Sequence, residues 1–231
     1  MVYYWNQEYF EGLKEIGEAY AQRKGYELFG EYCLQKELGL KKRANQTSLK
    51  FVNRLQQQSI SHRRNAVMQL CELDQCNPEV HSLINHHLAI LIQTTLFEWS
   101  ESEPSSAVSH RWEAIYGRYD RKGHALEKAL KLAPDDQMII IRKCSLLAYE
   151  LEHMVHHLNQ NIMLGDEADA RAILAELQKL CGRISQSEQS GHFESELSYY
   201  TELFELWEQY HVDGIERGFV EWAKDTADFD W

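Results

Sequence analysis

The chain has 231 residues, of which 44% are hydrophobic, and its 24 Lys and Arg stand against 36 Asp and Glu for a formal charge of −12. It is long enough to bury a sizeable core, while a mean hydropathy of −0.53 and the lack of any apolar run near ~18 residues leave no segment for a membrane-spanning helix. The five cysteines (Cys33, Cys71, Cys76, Cys144 and Cys181) are odd in number and form no CxxC, so no disulfide framework is expected and a reducing cytoplasm is the expected setting.

The chain contains only three prolines, and no stretch alternates polar and β-branched residues long enough for a sheet. Helical spacing is widespread, which predicts an all-α fold. The opening MVYYWNQEYF has no positive segment ahead of an apolar block, unlike a secretory signal, and crowds Tyr3, Tyr4, Trp5, Tyr9 and Phe10 together. Helices are predicted over 5–23, 26–38, 40–57 and 59–74. Another is predicted from Pro78, a good first-turn residue, to Trp99, burying Val80, Leu83, Ile84, His87, Leu88, Leu91, Ile92, Leu96 and Trp99. A polar break with Pro104 precedes helices at 106–118 and 121–132. Between Asp136 and Leu164, Ile140, Cys144, Leu147, Leu151, Met154, Leu158 and Ile162 recur in steps of three and four. They form one stripe along a helix of roughly seven turns. Helices at 167–184 and 192–211 follow. Residues 222–231 have too little apolar content to fold alone and read as an acidic, aromatic tail, docked or mobile. The joins are short and polar, as between antiparallel neighbours. Residues 1–231 are expected to form a single all-α domain or a continuous helical solenoid.

Residues 117–136, GRYDRKGHALEKALKLAPDD, resemble the second half of a tetratricopeptide repeat. Gly117, Tyr119, Ala129, Leu132 and Pro134 stand at its turn glycine, aromatic, small packing residue, apolar anchor and stop. Residues 38–51 and 164–177 are similar, with Ala44 after Leu38-Gly39 and Ala170 after Leu164-Gly165. The three glycines lie 78 and 48 residues apart, against a repeat period of about 34, and Lys122 and Gly123 depart from the pattern. The resemblance implies stacked antiparallel helical hairpins in a tetratricopeptide-like α-α superhelix, with an irregular helical bundle as the alternative. It also implies a surface that binds a partner protein rather than a catalyst.

Charge is unevenly placed. No Asp or Glu occurs from Leu38 to Cys71, which holds Lys41, Lys42, Arg43, Lys50, Arg54, Arg63 and Arg64. From Ile184 onward, twelve acids face only Arg217 and Lys224. These runs read either as solvated faces or as partner-binding surfaces. The basic run suits an anionic partner, and nucleic acid is an alternative to protein. Phe51 is its one aromatic, however, so no base-stacking platform is evident. The acidic end, with Trp222, Phe229 and Trp231, suits a basic partner or another copy of the chain.

Glu150 with His153 and Glu208 with His211 form two Glu-x-x-His pairs, the pattern that holds metals in helical-bundle carboxylate proteins. With this many glutamates and histidines, about one such pair arises by chance. No phosphate loop, zinc helix or nucleophile elbow occurs, so neither a catalytic residue nor a cofactor is expected.

Overall fold

The computed structural model describes residues 7–227; Tyr3, Tyr4, Trp5, Phe229 and Trp231 lie outside that range. The chain is all-α, with no strand among the described residues. It divides into two compact units, 1–132 and 133–231. The division also partitions charge. Residues 1–132 hold 17 Lys and Arg against 16 Asp and Glu, whereas 133–231 hold 7 against 20.

The first unit is built from α1 (Gln7–Ala21), α2 (Glu27–Glu37), α3 (Lys41–Gln56), α4 (Ile60–Cys76), α5 (His86–Ser102), α6 (Ala107–Tyr116) and α7 (Tyr119–Leu132). Helices α1 and α2 approach closely because Gly30 carries no side chain. A Cβ there would lie 2.6 Å from Ala21 Cα and 2.7 Å from the Gly17 carbonyl. Below this contact lies an aromatic core. The Phe29 ring is 5.2 Å from Tyr20, 5.9 Å from Tyr32 and 5.7 Å from Phe51, within the range where rings add attraction beyond area burial. Arg63 and Arg64 of α4 reach across to α5. Arg63 pairs with Glu98 at 2.6 Å, while Arg64 pairs with Glu103, bonds Ser102 Oγ at 2.7 Å and packs on Trp99.

Helices α6 and α7 form the hairpin that carries the clearest repeat resemblance. Ala129 is buried there, but Tyr119 is 95% exposed and Leu132 39% exposed, so the expected aromatic and anchor stand in solvent. Gly117 ends α6 with extended backbone (φ −62, ψ 177). Inside the hairpin Glu113 is buried, and its carboxylate accepts from Arg121 Nε at 2.7 Å. Arg121 also reaches Glu101 at 2.7 Å.

The second unit contains α8 (Gln137–Val155), a 3-10 turn (Leu158–Gln160), α9 (Glu167–Cys181), α10 (Ser187–Val212) and α11 (Phe219–Ala227). Asp136 and Asp166 cap α8 and α9 through their carboxylates, satisfying amides that a helix start leaves open. The predicted long helix stops short, at Val155. The chain turns through left-handed Asn161 (φ 57), and Leu164 N–H returns to the Met154 carbonyl at 2.9 Å. Leu158 is therefore buried in the 3-10 turn and Ile162 is 49% exposed.

Helix α11 was absent from the sequence expectation. Its Phe219 and Trp222 pack with Trp207 and Tyr210 of α10. Asn161 Oδ1 accepts from Phe219 N–H at 2.8 Å, and the Tyr210 hydroxyl donates to the Arg217 carbonyl at 2.7 Å. Residues 222–227 of the expected tail thus belong to a docked helix.

Candidate functional site

A cleft of about 310 Å³ opens in the first unit between α1, α2, the start of α3 and the connection from α4 to α5. Each wall has a local cause. Helix α2 ends at Gly39 in the left-handed region (φ 71), where glycine avoids the Cβ clash. The Gly39 amide donates to the Lys36 carbonyl and the Leu40 amide to the Gln35 carbonyl, at 2.9 and 2.8 Å. Lys36 is thereby fixed in the last turn of α2, and α3 begins at once with Lys41. Thr47 of α3 donates to Gln35 Oε1 at 2.9 Å, holding the two helices together.

The far wall is the connection 77–85, which the sequence assigned to the start of a helix. It is irregular because its groups are claimed by earlier helices. The Tyr32 hydroxyl donates to the Leu83 carbonyl at 2.8 Å. Lys36 Nζ donates to the Ser82 carbonyl and lies 2.8 Å from Ser82 Oγ. Ser82 Oγ is also 2.7 Å from the Tyr9 hydroxyl. Val80 and Leu83 are fully buried beneath. Asn85 closes the segment. Its Oδ1 caps α5 by accepting from Leu88 N–H at 3.1 Å, and its Nδ2 donates to Ser48 Oγ at 2.7 Å and Asn45 Oδ1 at 3.3 Å. Asn85→Ala is expected to cost about 1–2 kcal/mol, read as a lowered urea midpoint. Asn85→Asp keeps the cap oxygen and loses only the donor, so a smaller loss is expected.

The cleft lining includes Lys36, Lys41, Asn45, Ser82 and Asn85, and among the described residues it contains no Asp or Glu. Burial lowers Lys36 to about 8, so its neutral amine becomes the main form only above that pH. The same burial pushes the neighbouring Cys33 thiol up to about 12, leaving it inert. The cleft mouth continues over Gly39, Leu40, Lys41, Lys42 and Arg43.

The seven basic residues singled out in the sequence have different fates. Lys41, Lys42, Arg43 and Lys50 are exposed on α3, and Lys42, Arg43 and Lys50 make no ion pair among the described residues. Arg54 is tied to Glu27 at 3.2 Å, Arg63 to Glu98 and Arg64 to Glu103. These three serve as staples between helices, so three of the seven cations expected to meet a partner are already neutralised.

The Glu-x-x-His pairs are likewise dispersed. Glu150 and His153 line an open cleft of about 410 Å³ in the second unit. Glu208 is claimed by Arg171 at 2.9 Å, and the His211 ring packs edge-on against Trp207. No three His, Cys, Asp or Glu side chains are grouped to hold a metal ion among the described residues.

Sequence reasoning missed Lys36, Asn45, Ser82 and Asn85. Asn85 carried a usable signal, an Asn just before an apolar run. Lys36 and Ser82 carried none, since 46 residues separate them. No protein-family model, curated protein or solved structure matches this chain.

Proposed function

We propose that the protein is an interaction module, working in a reducing cytoplasm, that captures an acidic segment of a partner protein at the turn between α2 and α3. The observation that carries this reading is a mixed surface at the cleft mouth. Leu38 is 66% exposed and Leu40 38% exposed, immediately before the unpaired cations Lys42 and Arg43. Exposed leucines beside cations suit a segment carrying both apolar and acidic side chains. The acid-free lining of the adjoining cleft extends the same complementarity. The repeat resemblance of 117–136, 38–51 and 164–177 supports the class, since stacked helical hairpins act as recognition surfaces.

Lys41→Glu, Lys42→Glu and Arg43→Glu together should weaken binding of a leucine-containing acidic peptide by at least about tenfold, measured by fluorescence anisotropy, with unchanged helical content. Wild-type binding should weaken between low and moderate salt. Equal binding by both proteins would remove this surface from the reading. Nucleic acid is the second reading. The ion pairs of Arg54, Arg63 and Arg64 weigh against it, and retention of single-stranded RNA with a steep salt dependence would favour it.

A further inference from the structure

The inner wall of the cleft holds an arrangement that partner binding does not use. Tyr9, Lys36 and Ser82 come from α1, α2 and the 77–85 connection and converge on one hydroxyl. Ser82 Oγ lies 2.7 Å from the Tyr9 hydroxyl and 2.8 Å from Lys36 Nζ. We propose that Ser82 is the nucleophile of an acyl-transfer site, with Lys36 as its general base, Tyr9 as a hydrogen-bond donor to it, and small carboxylic esters as the substrate class.

The distances suit that role. A neutral lysine has two N–H groups and one lone pair. As an ammonium, Lys36 Nζ donates to the Ser82 carbonyl and to Ser82 Oγ. Once neutral, its lone pair can take the Ser82 hydroxyl proton across the same 2.8 Å, and the Tyr9 hydroxyl at 2.7 Å can donate to Oγ. The surroundings also favour the neutral amine. Tyr32 and Cys33 on α2, Tyr9 on α1 with His81 stacked on it, and Lys41 on α3 are titratable groups near Lys36, and among the described residues no carboxylate lies in the lining. Removal from water without a counter-ion lowers its affinity for a proton. A serine paired with such a lysine is an established solution to nucleophile activation.

In the acylation step Ser82 Oγ forms a bond to the ester carbonyl carbon, and its proton passes to Lys36 Nζ. The tetrahedral adduct then breaks the bond to the alkoxy oxygen, which takes that proton and departs as the alcohol. Water, deprotonated by Lys36, attacks the acyl-serine and releases the carboxylic acid, returning the Ser82 proton. Ala44 and Ile84 supply apolar wall for the acyl group, and the Asn45 amide lines the same space.

The test is labelling of the full chain with an alkyl fluorophosphonate, read by peptide mass spectrometry, together with hydrolysis of p-nitrophenyl acetate. An adduct at Ser82 is expected, with a rate that rises with pH around 8. Ser82→Ala should abolish labelling at that peptide. Lys36→Arg keeps donors for the Ser82 carbonyl but offers no neutral amine, so about a hundredfold slower labelling is expected without a loss of folding. A folded wild-type chain with no Ser82 adduct would overturn the proposal. So would Lys36→Arg labelling at the wild-type rate, or a rate flat from pH 6 to 10.

Discussion

Gly30→Ala is expected to destabilise the protein by about 2 kcal/mol or more, although alanine is the better helix former. Helix propensity alone favours the substitution by up to ~1 kcal/mol. Packing reverses the sign. The new methyl group would stand 2.6 Å from Ala21 Cα and 2.7 Å from the Gly17 carbonyl, and both are backbone atoms on a packed helix. No rotamer change relieves such an overlap, so α1 and α2 must separate above the aromatic core. Gly123 of α7 is the control, because a Cβ there meets nothing within 4 Å. Gly123→Ala is expected to stabilise by about 0.5–1 kcal/mol. Urea unfolding of the two variants should shift the midpoint in opposite directions. A gain from Gly30→Ala would refute the close approach of α1 and α2.

Arg121→Met is expected to cost about 2–3 kcal/mol. The Glu113 side chain is only 3% exposed, and Arg121 Nε at 2.7 Å is its close ionic partner. His110 approaches only to 3.8 Å, and desolvation holds that imidazole below its ordinary pKa, disfavouring the charged form. Methionine keeps the length of the aliphatic stem but loses the guanidinium that lies 4.6 Å from the Phe97 ring centroid, and it strands the carboxylate in the hairpin. The cost sits at the lower end for a broken buried pair because the Arg121 side chain is 27% exposed. Glu113→Gln in the same background removes the stranded charge, so the double variant should be more stable than Arg121→Met alone. Simple additivity of the two losses would show that the pair is not coupled.

The helices were legible where one face is buried against neighbours over its whole length. In α8 the stripe Ile140, Cys144, Leu147, Leu151 and Met154 is buried as its spacing required. Beyond Val155, Leu158 is still buried, but in a 3-10 turn rather than a helix, and Ile162 is half-exposed, because apolar spacing cannot reveal a left-handed residue such as Asn161. Pro78 misled for a related reason. Val80 and Leu83 satisfy helical periodicity, yet Tyr32 and Lys36 claim the carbonyls that a helix would have used. Helix α11 was hidden because its apolar residues are few and their partners, Trp207 and Tyr210, lie on another helix. For the candidate site, Lys41 to Arg43 were visible as a run of like charge. The pairing of Arg54, Arg63 and Arg64 was not, since each carboxylate partner comes from 27 to 39 residues away.

The segment 77–85 also imposes an order of assembly. Its fastenings come from Tyr9, Tyr32, Lys36, Asn45 and Ser48, all of which precede it in the chain. During synthesis from the N-terminus, helices α1 to α3 are complete before the segment emerges, so it settles onto a surface already formed. The Asn85 bonds to α3 must wait for that docking, and the start of α5 is fixed in place with them. The first three helices therefore carry all of these fastenings, and the segment is the seam that ties the start of α5 to them.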